Sequence, residues 1–200
     1  LPNILVTHPS LPVKSVKDLI AFAKKRPGQI NFASAGVGTN PHFAMELFLS
    51  MTGLEMVHVP YKGSGQGVID LLAGHVSVMM PSILTALNYV KNGRLRALGV
   101  TSAKRASGAP DIPTIAEAGL PGYEAVQWFG VLAPAGTPRE IVARLHKEVV
   151  RTVNAPDIRQ KLIHDGAEPV GSSPADFAVF IRSETTKWAK VAKAIGIKPE

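Results

Sequence analysis

The stretch Ile30-Asn31-Phe32-Ala33-Ser34-Ala35-Gly36-Val37-Gly38-Thr39-Asn40-Pro41 runs a short apolar segment of β type into a glycine-rich turn and then straight into a helix. The same grammar recurs twice. Met56-Val57-His58-Val59 leads through Pro60-Tyr61-Lys62-Gly63-Ser64-Gly65 into a helix near Gln66, and Val76-Ser77-Val78-Met79-Met80 leads through Pro81-Ser82 into a helix from Ile83. Repeated strand–turn–helix units predict a mostly parallel sheet covered by helices, because parallel neighbours need a crossover and a helix is the usual one. In such a sheet the turns gather at the carboxyl edge of the strands, where ligands bind. Each also presents the free N–H groups of a helix N-terminus, which favour an anion. Three of them on one edge predict a pocket for something small and negatively charged.

Outward from these units the pattern continues. Ser15 and Asp18 form a capping-box-like start for a helix with Leu19, Ile20, Phe22 and Ala23 on its apolar face, stopped at Arg26-Pro27-Gly28. Asn40 as N-cap and Pro41 open the next helix, with Phe43, Ala44, Leu47 and Phe48 inward and Gly53 at its end. Gly67–Leu72 and Ile83–Asn92 are the following helices, and Leu95–Thr101 is a fourth strand. Thr114 and Glu117 predict a short capped helix, and Ala125–Leu132 reads as a strand in which Trp128 and Phe129 take core positions. After Pro134-Ala135-Gly136 only helices follow. One starts at Thr137-Pro138 with Ile141, Leu145 and Val149 on one face, another at Pro156, and the last at Ser173-Pro174 with Phe177, Phe180 and Ile181 inward. A βα block closed by a helical tail, with a strand at each end, suggests two lobes crossed twice by the chain.

Two hundred residues, 46% of them hydrophobic, suit one or two domains. The formal charge of +7 raises the question of nucleic acid, but the basic residues are dispersed and only 6% of residues are aromatic. A general positive field that draws in small anions fits this pattern better than nucleic-acid binding. Cysteine is absent, which removes disulfides, thiolate catalysis and cysteine-ligated metal. The opening Leu1-Pro2-Asn3-Ile4 has neither Met nor a basic segment and reads as that of a processed or truncated product without a signal peptide.

The turns lack the groups that turnover needs. Gly36-Val37-Gly38 invites a dinucleotide reading, yet the third glycine of that fingerprint would fall at Pro41 and the next strand ends at His58-Val59 without a ribose-binding acid. His42 and Glu46 stand one helical turn apart without two further metal ligands, so a brace of the loop or a hydrogen bond to a carboxylate competes with a half metal site. Lys62 is an anion clamp or a solvated side chain beside a turn, and Tyr61 is a pocket wall. Ser64 lacks the nucleophile-elbow pattern. With no acid and one histidine in the three turns, no acid–base pair is evident, and binding without a metal or cofactor is expected. The alternative is a nucleotide- or anion-dependent enzyme on a Rossmann-like fold.

Ser34 to His42, Val57 to Gly63, Gly93-Arg94-Leu95-Arg96-Ala97-Leu98, Pro113 to Gly119, Phe129 to Pro138 and the late Trp188 together resemble the Bug (TctC-like) family, periplasmic solute receptors of tripartite tricarboxylate transporters. The resemblance runs from end to end. It implies a type II periplasmic-binding-protein fold: two α/β lobes joined by crossing strands around a small carboxylate, with membrane transporter subunits as partners. Residues 1–10 would then be the first crossing strand, 11–124 the complete second lobe, and 125–200 the return into a partial first lobe. The Gly-x-Gly-Thr-x-x-His turn would give carboxylate-binding roles to Ser34, Ala35, Gly36, Gly38, Thr39 and His42. The Pro-Tyr-Lys-Gly turn would give pocket roles to Tyr61, Gly63, Ser64 and Gln66, with Pro81 completing the set. The chain departs from the family where Met80-Pro81-Ser82 replaces an acidic residue, and where the family's N-terminal segment is missing. Self-association, or cover by such a segment, is therefore expected over the helical tail.

Overall fold

The predicted strand–turn–helix units form, and they share one sheet. The computed structural model describes residues 1–164 and 166–196; residues 165 and 197–200, part of the expected C-terminal portion, lie outside the described residues. The order is β1 (Ile4–Thr7), α1 (Val16–Lys24), β2 (Asn31–Ser34), α2 (Asn40–Thr52), β3 (Val57–Pro60), α3 (Ser64–Leu72), β4 (Val78–Met79), α4 (Ile83–Lys91) and β5 (Arg96–Val100). Helices α5 (Arg139–Val153), α6 (Pro156–His164) and α7 (Pro174–Ala194) follow.

The strands lie in the order β3-β2-β4-β1-β5. β2 runs parallel to β3 and β4, while β1 is inserted antiparallel between β4 and β5. Four strands therefore end on one edge, and β1 begins there. Alternation sorts the side chains to two faces. Leu5, Phe32, Val78 and Leu98 pack with Val16, Leu19, Ala44, Met45 and Phe48 of α1 and α2. Ile4, Val6, Ala33 and Met79 pack with Val68, Leu71, Ile83 and Ala86 of α3 and α4. Cover on both faces is why these strands are apolar throughout. Gly67 lets α3 close on the sheet, since a Cβ there would lie 3.0 Å from Met79 Cε.

Helix ends follow the local chemistry with one exception. Ser15 caps α1 through the Asp18 N–H, and Gly53 ends α2 in the left-handed region. Asn40, however, is not the cap of α2. Thr39 takes that place, and Asn40 enters the first turn because its side-chain oxygen accepts from Asn3 Nδ2 at 2.7 Å.

Three further expectations are corrected. Thr114 and Glu117 make both capping-box bonds, each at 3.0 Å, but only turns follow. Gly119 at φ +135° and Pro121 stop the segment before a helix can propagate. The stretch 125–132 forms one bridge, Val126 to Pro2, and no strand. Backbone bonds join Ala125 to Thr101 and Gln127 to Leu1, but beyond Gln127 no other backbone pairs with the stretch among the described residues, so Trp128 is 39% and Phe129 77% exposed instead of buried. Trp128 meets Phe177 and Phe180 on α7 edge-to-face, with centroids 5.7 and 5.4 Å away. Phe180, Ile141 and Leu145, expected inward, remain exposed for the same reason: no layer covers them among the described residues.

Candidate functional site

The carboxyl edge of the sheet assembles the predicted turns. The chain passes from β2 through α2 on one face and from β4 through α4 on the other, although β2 and β4 are neighbours. Turns that diverge in this way open a crevice between them. On one side stands the turn from Ser34 to Thr39; on the other stand the buried Pro81 and the half-buried Ser82. Backbone bonds clip the edge together. Tyr61 N–H donates to Ser34 O at 3.1 Å and Gly63 N–H to Ala35 O at 3.0 Å, while Ile4 N–H donates to Pro81 O at 2.9 Å.

The Ser34–Thr39 turn needs its glycines. Gly36 has φ +132°, and a Cβ there would stand 3.2 Å from Tyr61 O, so both backbone strain and the neighbouring turn exclude a side chain. Thr39 Oγ1 and N–H both donate to Gly36 O, at 2.7 and 3.3 Å. The Thr39 hydroxyl proton is thus spent on the turn, and toward a ligand the oxygen offers only lone pairs. Ser34 Oγ, fully buried, accepts from Gly36 N–H at 3.1 Å and lies 2.6 Å from His58 Nε2.

His42 is 5% exposed. Its Nδ1 accepts from Gly38 N–H at 3.2 Å and its Nε2 faces Glu46 Oε1 at 3.5 Å. A bare Nδ1 places the proton of the neutral ring on Nε2, toward the carboxylate. The ring stacks on His58 with centroids 4.0 Å apart and planes at 13°, and Phe32 lies beside the pair, 4.8 Å from His58 and 6.4 Å from His42. The parallel register pairs Phe32 with His58, which sets both rings on the α2 face. Burial first, and the adjacent His42 second, push His58 down to about 4.

Tyr61 donates its phenol proton to Asp70 Oδ2 at 2.6 Å. Burial and then that carboxylate raise the phenol to about 12, while the Tyr61 bond holds Asp70 below the usual carboxylate range. Tyr61 therefore presents a ring face and a lone pair, not a proton. Lys62 and Gln66 are exposed on the rim, and Ser64 lies in the first turn of α3. The first-turn N–H groups of Asn40 and His42 in α2, and of Ser64, Gly65 and Gln66 in α3, have no i−4 carbonyl within their helices and point out of this edge.

Two groups at the edge escaped the sequence reading. His58 was visible only as a strand residue, because its partner depends on register. The second is the join of the chain ends. Asn3 N–H donates to Thr101 Oγ1 at 2.8 Å, Asn3 Nδ2 to Asn40, and Ala125 N–H to Thr101 O at 2.9 Å. This ties the start of α2 to the segment before β1 and, through Thr101, to the backbone at Ala125.

Comparison with known proteins agrees with this architecture. The family model described as the tripartite tricarboxylate transporter family receptor matches residues 1–197. The chain is 42% identical over 192 residues to the UPF0065 protein of the tcbD-tcbE intergenic region of Pseudomonas sp. strain P51, covering 96% of this chain and 57% of that one. It is 37% identical over 198 residues to BugT of Bordetella pertussis, covering 99% and 61%. Among solved structures, R. palustris Rpa4515 with adipate superposes with a TM-score of 0.85 at 42% identity, over 100% of this chain and 67% of that one. MatC (Rpa3494) from Rhodopseudomonas palustris with bound malate gives 0.79 at 29%, over 96% and 66%. The chain thus spans about three fifths of the length of these curated relatives. The fold is that of the periplasmic-binding-protein-type structures, and the matching family is described as one of receptors. This chain belongs to the tripartite tricarboxylate transporter receptor family, the family of the Bug proteins.

Proposed function

We propose that this chain is the larger part of an extracytoplasmic receptor that captures a small carboxylate and delivers it to a membrane transporter. The observation that carries the reading is the convergence of the turns after β2, β3 and β4 on one sheet edge, each followed by a helix N-terminus. Carboxylates are bound well there, because aligned N–H groups and the helix dipoles favour negative charge. Adipate in Rpa4515 and malate in MatC support the ligand class. The contact set is Ser34, Ala35, Gly36, Gly38, Thr39, His42, Tyr61, Gly63, Ser64, Gln66 and Pro81. Within it Gly36 and Gly38 act by shape, since their N–H groups already have partners. Residues 11–124 form the lobe that carries these turns, and residues 1–10 and 125–200 belong to the crossing strands and the other lobe. A periplasmic location and docking to transporter subunits follow from the receptor role.

Thermal shift and calorimetry on the full natural protein, with a panel of mono-, di- and tricarboxylates, test this. Adipate or a close relative should raise the melting temperature as mass action requires. A panel in which sugars or cations raise it and carboxylates do not would overturn the reading.

A further inference from the structure

Two stacked histidines hold the Ser34–Thr39 turn from below. His42 takes the Gly38 N–H on Nδ1, and His58 takes Ser34 Oγ, which in turn holds the Gly36 N–H. Both ends of the turn thus rest on one pair of rings 4.0 Å apart. We propose that His42 is a positioning residue for the ligand, keeping the turn in its binding shape only while Nδ1 carries no proton, with His58 as the second half of the brace. The proposal rests on the reading of this turn as the carboxylate site.

The chemistry is one of donor count. A neutral imidazole has one acceptor nitrogen; an imidazolium has two N–H donors and none. A proton on His42 Nδ1 would set that donor against Gly38 N–H at 3.2 Å, so the bond breaks and the glycine must turn away. His58 differs. Ser34 Oγ stands 3.1 Å from Gly36 O as well as 2.6 Å from His58 Nε2, so its one proton can go to that carbonyl, and the contact survives when a protonated His58 donates to Ser34 Oγ. His42 is therefore the member whose protonation undoes the turn.

The surroundings sharpen the dependence. On α2, Glu46 Oε1 faces Nε2 at 3.5 Å, and the Gly38 N–H faces Nδ1 at 3.2 Å. On β3, His58 repels a second charge across the stack, which is part of why its own proton is held off until about pH 4. On β2, the neighbours are Ser34 and Phe32, neither charged. On α7, Trp188 approaches through Phe43, and Lys187 beside it is already paired with Glu184 at 3.3 Å. Around the ring, the Gly38 bond is thus the contact that a proton on Nδ1 would break.

His42→Asn tests the idea, because Asn Oδ1 can stand near the position of Nδ1 and accept from Gly38 at every pH. His42→Gln serves if that variant does not fold. In ligand-free, isotope-labelled protein, the Gly38 amide should shift and lose at least tenfold of its exchange protection between pH 7.5 and 4.5. In the Asn variant it should stay flat. A Gly38 amide indifferent to acid in the wild type, or titrating equally in the variant, would overturn the proposal. Calorimetry with adipate then gives the affinity ratio of pH 7.5 to pH 5 for each protein, with the titration of adipate itself common to both. The wild-type ratio should exceed that of the variant at least tenfold, and equal ratios would sink the proposal. If neither protein binds adipate at pH 7.5 while Gly38 still titrates only in the wild type, the brace stands and adipate is excluded as the ligand.

Discussion

The sheet half of the chain and the helical half after it bury their side chains to very different degrees, although both are written with amphipathic patterns. Every residue of β1 is buried, and α2 buries five of its positions, His42 among them. α5 buries none over fifteen residues, and α7 buries only Glu184 and Val191 over twenty-one. Val131 and Leu132, before those helices, are 70% and 75% exposed. An apolar face in a sequence states what a segment needs to cover, not whether the cover lies among its own neighbours. The first half supplies its own cover from both sides of one sheet. In the second, Phe177 packs on Gly130, where a Cβ would run into its ring, yet little else shields the row.

The contrast can be broken or sharpened by substitution. Phe48→Ala should have the largest effect, because the ring is fully buried and stands edge-on to Tyr123 at 6.1 Å. A loss of about 3–5 kcal/mol is expected from transfer and cavity terms together. Denaturant unfolding would check it, and an unchanged midpoint would contradict the two-sided core.

Gly36→Ala should follow with about 1–3 kcal/mol, since the strained φ adds to the approach of Tyr61 O. Gly136→Ala is its control in the helical half. Gly136 also has positive φ, at +84°, but nothing lies within 4 Å of a Cβ there. Only the conformational part should appear, about 1 kcal/mol. Equal losses at the two sites would deny the clip between the turns after β2 and β3.

Acid should weaken the sheet half before the helical one. His58 is depressed in the folded state, so its contribution is fully present above the ordinary histidine range near 6.5 and is lost as pH falls through about 4. Melting temperatures at pH 7 and pH 4.5 should therefore differ less in His58→Gln than in the wild type. An identical drop would show that the stacked ring does not sense acid.

Leu145→Ala should have the smallest effect in these 200 residues, under about 0.5 kcal/mol for a side chain 48% exposed on α5. If the same change in a form of the protein that matches the full length of its relatives weakens it by about 2 kcal/mol or more, as truncation of a covered leucine does, the exposed row is a face that another segment covers. Equal small losses in both would make it a true surface.

Much of this was local and so legible in the chain. Gly53 and Ser15 end and begin helices by backbone geometry and capping chemistry that involve four or five residues. The turns at Gly36, Gly38 and Gly63 needed positive φ, and their residue types announced it. The capping box at Thr114 and Glu117 was read correctly as hydrogen bonds and wrongly as a helix, because a cap does not reveal that Gly119 lies too close for propagation. The reach of Trp128 and Phe129 into a core failed for a different reason. Alternation gave them a strand pattern, but a strand exists only where another backbone pairs with it.

The sequence by itself thus determined where most strands, turns and helices alternate, and which turns lead into a helix N-terminus, because those properties depend on neighbours along the chain. The tertiary structure alone decided that β1 inserts antiparallel between β4 and β5, and that Asn3 reaches Asn40 and Thr101. It also decided that His42 and His58 stack beneath the Ser34–Thr39 turn. Those contacts depend on strand order and register between segments far apart in the chain. No local period encodes which residues a register brings face to face.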